Sequence, residues 1–174
     1  MKRILKLDVD NLGYIFGFGL QNNETISRIT TLSKMMDFAK QFKGAKSASK
    51  FQPKVSEWYF KNNRYGHGYI CLTESMLTKL CEVYGLDISN IDNREKVRGL
   101  ISRSRNFRYK DLKALNQNYY EISRIRNRIV HTAFYNNDKY SYKKDIESSS
   151  IYLKNVETLL NSMEINRLNE IVPI

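Results

Sequence analysis

Leu112, Leu115, Tyr119, Ile122, Ile125 and Ile129 recur every three or four residues. At that spacing side chains fall on one face of an α-helix. The pattern predicts a helix from Tyr109 to about Val130, the longest in the chain. A helix with a single apolar stripe must bury it against other elements, and the cheapest partners are further helices.

The chain supplies such partners. Lys54 to Lys61 reads as a helix carrying Trp58 and Phe60, and Thr73 to Tyr84 as another with Met76, Leu80 and Val83 on one face. Thr73 is a candidate cap and Gly85 a stop. Arg94 to Ser102 reads as a short helix. The final helix, carrying Ile146, Leu153, Val156, Leu160 and Met163, follows a loop rich in Asn and Tyr over 134–142. Asn62-Asn-Arg-Tyr-Gly-His-Gly68 reads as a loop, with His67 a neutral loop residue. Short connections between such helices predict a mainly α, antiparallel bundle of four to five helices.

The amino-terminal third reads differently. Leu5, Leu7 and Val9 alternate with Lys6, Asp8 and Asp10, as in a half-buried strand. A helix begins near Thr25 and runs to about Phe42, with Ile26, Ile29, Leu32, Met36 and Ala39 at helical spacing. The predicted organisation is a strand–helix segment over 1–43, a linker over 44–53, the bundle over 54–166 and a tail over 167–174.

Charge narrows the partners. Of a formal net charge of +11, the block from Arg94 to Lys144 contributes +10, with fourteen Lys and Arg against four Asp and Glu. A field concentrated in this way attracts polyanions. Cys71 and Cys81 form no CxxC pair and no Cys/His cluster, so they read as small apolar residues in a reducing compartment. No run of 18 apolar residues exists, so no membrane partner is expected. The basic start Met1-Lys-Arg-Ile-Leu-Lys gives way to Asp8 and Asp10 without the apolar core of a secretion signal. The expected location is the cytoplasm.

At the end of the long helix stands Arg126-Asn-Arg-Ile-Val-His131. Histidine moves protons near neutral pH, and arginine keeps its charge and grips phosphate oxygens with a planar fork. Together they can cut RNA without a metal or other cofactor: a base for the 2′-OH and a cation for the charge gathering on phosphorus. Asn127 can orient His131 or a phosphate oxygen. Positions five apart lie about 140° round an ideal helix, so one chain does not close an Arg–His pair unless the helix ends or tightens near Val130. Two copies of the helix would close it.

Over about 70–165, this chain resembles the HEPN superfamily of small helical bundles with an Arg-polar-x3-His motif. The helix ending in Tyr84-Gly85, the long helix closing in His131 and the amphipathic helix after it all look like that family. The resemblance implies a homodimer with motifs at its interface and a metal-independent endoribonuclease in which Arg126 and His131 are catalytic and Asn127 supports them. The family also holds members that only bind. Separately, Leu7-Asp-Val-Asp-Asn-Leu-Gly13, followed by Thr25-Ile-Ser-Arg-Ile-Thr-Thr-Leu-Ser-Lys-Met-Met36, resembles the first strand and helix of the palm domain in the large subunit of type III CRISPR effector complexes. In a complete palm, an aspartate such as Asp8 holds a metal. This chain has no Gly-Gly anywhere, so the Gly-Gly-Asp-Asp turn of a full palm is missing, and Asp8 and Asp10 read as the solvated face of a strand.

Arg103, Arg105, Arg108, Arg124, Arg128 and Tyr135 are the candidate RNA contacts: cations for phosphates, and an aromatic ring on which an unpaired base can stack. Tyr140 and Tyr142 are further stacking candidates, and Tyr119 belongs to the core. The expectation is a dimeric endoribonuclease for single-stranded RNA, acting as an antiviral effector or a toxin with a CRISPR complex or an antitoxin as possible partner. The alternative is a non-catalytic RNA-binding or assembly module of a type III CRISPR complex.

Overall fold

A computed structural model describes residues 42–131 and 142–174, together with Ser33, Met36, Asp37, Ala39 and Lys40, which are helical; the side chains of Val130 and His131 are not described. Contacts divide the chain into two units, Met1–Gln41 and Phe42–Ile174. The expected strand over 4–10 and most of the expected helix over 25–42 lie outside the described residues, as do Tyr135 and Tyr140.

The second unit is a mainly α bundle. Its helices are α1 (Ala48–Lys61), α2 (Tyr65–Val83), α3 (Ile91–Arg103), α4 (Lys110–His131), α5 (Lys143–Glu147), α6 (Ser149–Asn161), α7 (Met163–Asn166) and α8 (Leu168–Ile171), with a 3-10 turn at Ser104–Asn106. No described helix is long and apolar enough to cross a membrane.

α2 and α4 form the centre. Tyr69, Leu72, Met76, Leu80 and Cys81 of α2 are fully buried, as are Leu112, Leu115 and Ile122 of α4. Tyr119 and Ile125 are nearly so, and Ile129 packs partly buried against the same cluster. The predicted stripe is therefore the buried face of α4. Cys71 is half-buried, and both thiols are free.

α1 begins at Ala48, before the expected Lys54, because Ser47 caps it by accepting from the Lys50 amide at 3.4 Å. It runs antiparallel to α2. At one end the Glu82 carboxylate accepts from the Ser49 amide at 3.0 Å and its hydroxyl at 2.5 Å. A carboxylate at a helix N-terminus satisfies orphan amides and complements the dipole, here from another helix. At the other end, Ser56 donates to the Gly68 carbonyl at 2.8 Å.

α2 corrects a second expectation. It starts at Tyr65, so Gly66, His67 and Gly68 are helical and Thr73 lies inside the helix, its hydroxyl donating to the Tyr69 carbonyl at 2.9 Å. The two glycines serve contact, not turning. A Cβ at Gly68 would sit 2.3 Å from the Phe60 ring, and one at Gly66 would sit 3.2 Å from Ile129 Cγ2. The far end of α2 stops at Gly85, whose φ of +64° lets the Leu86 amide donate back to the Cys81 carbonyl at 2.8 Å and its own to Glu82 at 3.2 Å. This is a Schellman closure.

α3 starts at Asn90–Ile91, ahead of the expected Arg94, with the Asn90 side chain accepting from the Asn93 amide at 3.2 Å. The expected single last helix is broken. Ser162 leaves helical geometry and caps α7, accepting from the Ile165 amide at 3.1 Å. The break turns the buried face: Met163 is 76% exposed and Ile146 39%, whereas Ile165, Leu168 and Val172 are buried. Residues 167–174, expected as a tail, carry α8 and pack into the core, where the Val172 carbonyl accepts from the Tyr84 hydroxyl at 2.7 Å.

Candidate functional site

The last third of α4 carries the motif. Ile122, Ile125 and Ile129 turn inward, so the polar residues between them occupy the rest of the helix surface. The backbone stays α-helical through His131. No break precedes His131, so positions 126 and 131 stand about 140° apart round the helix axis and about 7.5 Å along it.

Arg126 is half-buried and Asn127 exposed. The Arg126 Nε and Nη2 donate to Asn127 Oδ1 at 3.2 and 3.1 Å. The acceptor is a neutral amide, so the contact orients the guanidinium fork without neutralising it. Arg124 is exposed.

Arg128 is placed differently. Its Nη2 donates to both oxygens of Asp145 on α5, at 2.9 and 3.2 Å. The Asp145 side chain is 5% exposed and that of Arg128 32%. Asp145 is located in turn by Tyr69, whose fully buried hydroxyl donates to the Asp145 carbonyl. Burial, then the nearby Asp145 charge, pushes the Tyr69 pKa up, so the hydroxyl remains a proton donor. Tyr152 stands edge-on to Tyr69 at 6.2 Å and donates to Glu121 on α4 at 3.1 Å. Burial and that carboxylate push its pKa up to about 12.

Arg103, Arg105 and Arg108 are exposed at the other end of α4, and Arg108 lies over the Tyr109 ring, 5.6 Å from its centre. From Lys110 to Arg126 the helix rises about 24 Å. One chain thus does not bring these arginines to the motif; a strand of RNA contacting both would have to run along the helix.

His67, expected in a loop, sits in the first turn of α2, stacked on Tyr59 at 5.2 Å. It borders an open cleft of about 580 Å³ beside the end of α4, lined also by Arg64, Tyr65, Ile70, Ile129 and Tyr142. Among the described residues, no group of three or more His, Cys, Asp and Glu gathers in a way that could hold a metal ion.

Asp145 stands outside the residues that periodicity and motif spacing single out. It lies 17 positions beyond Arg128, and local periodicity carries no information about a pairing at that range.

Comparison with known proteins adds context. No family model matches, and no solved structure matches. The chain is 34% identical over 128 residues to the CRISPR-associated protein MJ1674 of Methanocaldococcus jannaschii, a match covering 72% of this chain and 20% of that protein. A match of that extent takes in about residues 50–125 wherever it begins, and so includes α2 and most of α4. The chain is also 44% identical over 64 residues to the CRISPR system single-strand-specific deoxyribonuclease Cas10/Csm1 (subtype III-A) of the same organism, covering 36% of this chain and 8% of that protein. It thus spans a fifth or less of each relative it matches, and what it shares with both is similarity to CRISPR-associated proteins.

Proposed function

We propose that this chain acts in a type III CRISPR setting as an endoribonuclease of the HEPN type, cutting single-stranded RNA at a site built from two copies of α4. The observation that carries this reading is the uninterrupted helix through His131. An Arg and a His five positions apart on one helix favour a site shared between two copies, and the Arg126 fork is turned by Asn127. The similarity to two CRISPR-associated proteins and the basic block around α4 support the setting and the polyanionic partner.

In this reading the His131 imidazole takes the proton from a ribose 2′-OH. The 2′-oxygen bonds to the adjacent phosphorus, the bond from phosphorus to the 5′-oxygen breaks, and that oxygen leaves with a proton given by the protonated His131 of the second copy. The products are a 2′,3′-cyclic phosphate and a 5′-hydroxyl. Arg126 stabilises the charge on the phosphoryl oxygens as the new bond forms, and Asn127 holds Arg126.

Purified protein should cut RNA in EDTA, leave cyclic phosphate ends and spare a linkage whose 2′-OH is replaced by hydrogen. His131→Ala should stop cleavage in a folded protein. Salt-sensitive RNA binding without turnover would instead identify a non-catalytic assembly module. Cleavage of the deoxy-substituted linkage, or cleavage that requires Mg²⁺, would rule out 2′-OH attack at this motif.

A further inference from the structure

We propose that Arg128 and Asp145 form a clamp that fixes the motif-bearing end of α4, so that Arg128 is a positioning residue and not an RNA contact. This rests on the nuclease reading above and assigns separate tasks to the two arginines of Arg126-Asn-Arg128. Arg128 Nη2 engages both oxygens of a carboxylate that is 5% exposed. A phosphate competing for Arg128 would have to strand that carboxylate in the interior, which is the costly way to break an ion pair.

Asp145 is itself tied down. Its carbonyl accepts from the hydroxyl of Tyr69. The Tyr69 ring is fully buried, edge-on to Phe60 at 5.0 Å and to Tyr152 at 6.2 Å. The chain of contact runs from the centre of α2 through α5 to α4. The neighbouring Ile129 provides a second anchor on Gly66 of α2, where the space admits no side chain without adjustment. Consecutive helix positions point about 100° apart, so the two anchors oppose rotation of α4 as well as lifting. Arg126 lies two residues before Arg128 and His131 three after it. A turn of helix that rolls or frays here displaces both.

Asp145→Asn distinguishes the roles, because it removes the charge of the Arg128 partner while keeping its shape. The clamp predicts that kcat falls about tenfold or more, as displacement of a catalytic geometry does, with KM within about twofold of wild type. Arg128→Lys, which keeps the charge but has a shorter side chain that does not carry a donor to the position of Nη2, should lose kcat in the same way. An RNA contact predicts the reverse: Asp145→Asn tightens RNA binding and spares kcat, and Arg128→Lys largely preserves both. Should Asp145→Asn fold poorly, Tyr69→Phe, which removes one hydroxyl, should give a smaller fall in kcat in the same direction.

Hydrogen exchange of amides 126–131, read in the full chain without RNA, separates this inference from the nuclease reading. Faster exchange there in Asp145→Asn, with exchange in α2 unchanged, supports the clamp even if the wild type cuts nothing. Wild-type exchange at 126–131 in Asp145→Asn overturns it, whatever the activity.

Discussion

The two ends of α4 are held by different means. The first turns are embedded: Leu112 and Leu115 are fully buried, the Leu112 amide donates to Glu164 at 3.0 Å, and Asn116 donates to the Ile101 carbonyl at 2.5 Å. Two other segments thus converge there. Among the described residues, the last turns carry Ile129, half-buried against the core, and the ion pair of Arg128 with Asp145. Burial in the core is therefore complete at Leu112 and Leu115 and partial at Ile129.

That contrast can be broken most forcefully at the embedded end. Leu115→Ala should cost about 2–5 kcal/mol, as a large-to-small change in a closed core does, measured as the urea midpoint at unchanged slope. Alkaline pH should also act on the scaffold. Burial pushes the Tyr84 hydroxyl up to about 12, and Tyr152 stands at about 12, against 10.0 for a free tyrosine. Because the folded values are raised, this stability is intact below about pH 10 and is lost as pH rises towards 12. Unfolding followed by circular dichroism should track tyrosinate absorbance; unfolding completed well below that window would discount these tyrosines.

Smaller changes sharpen the comparison. Asn116→Ala removes one of two side-chain donors to the Ile101 carbonyl, the Ser104 hydroxyl at 2.6 Å remaining, and should cost about 0.5–1.5 kcal/mol. Glu164→Gln weakens the acceptor for the Leu112 amide while keeping an oxygen there, and about 0.5–1.5 kcal/mol is expected. His131→Ala, at the loose end, should shift stability by less than about 0.5 kcal/mol while abolishing RNA cleavage. A stability loss above 1 kcal/mol, measured by denaturant titration, would mean that His131 belongs to the packing and not to a site.

Legibility in the sequence followed the range of each interaction. The stripe from Leu112 to Ile129 was readable because burial repeats with the helix period, and the stop at Gly85 because a positive φ favours glycine. The start of α2 was not, since Gly66 and Gly68 carry the same letters as turn glycines but provide room for Ile129 and Phe60. The start of α1 was hidden by a polar, lysine-rich composition and by Pro53 within the helix. The run of apolar residues through Met163 obscured the break at Ser162, after which a different set of side chains turns inward. Arg126 and Asn127 could be singled out by residue type and spacing. The commitment of Arg128 to Asp145 could not, because it depends on where α5 lands.

The close approach at Gly68 has a further consequence. Its backbone is ordinary right-handed helix, which any amino acid can adopt, yet a first carbon there would overlap an aromatic ring. In a saturation library selected only for folding, position 68 should return glycine almost alone. Helix-propensity scales would rank it among the poorest choices at that position. Scarcity of volume, not freedom of torsion, dictates the letter.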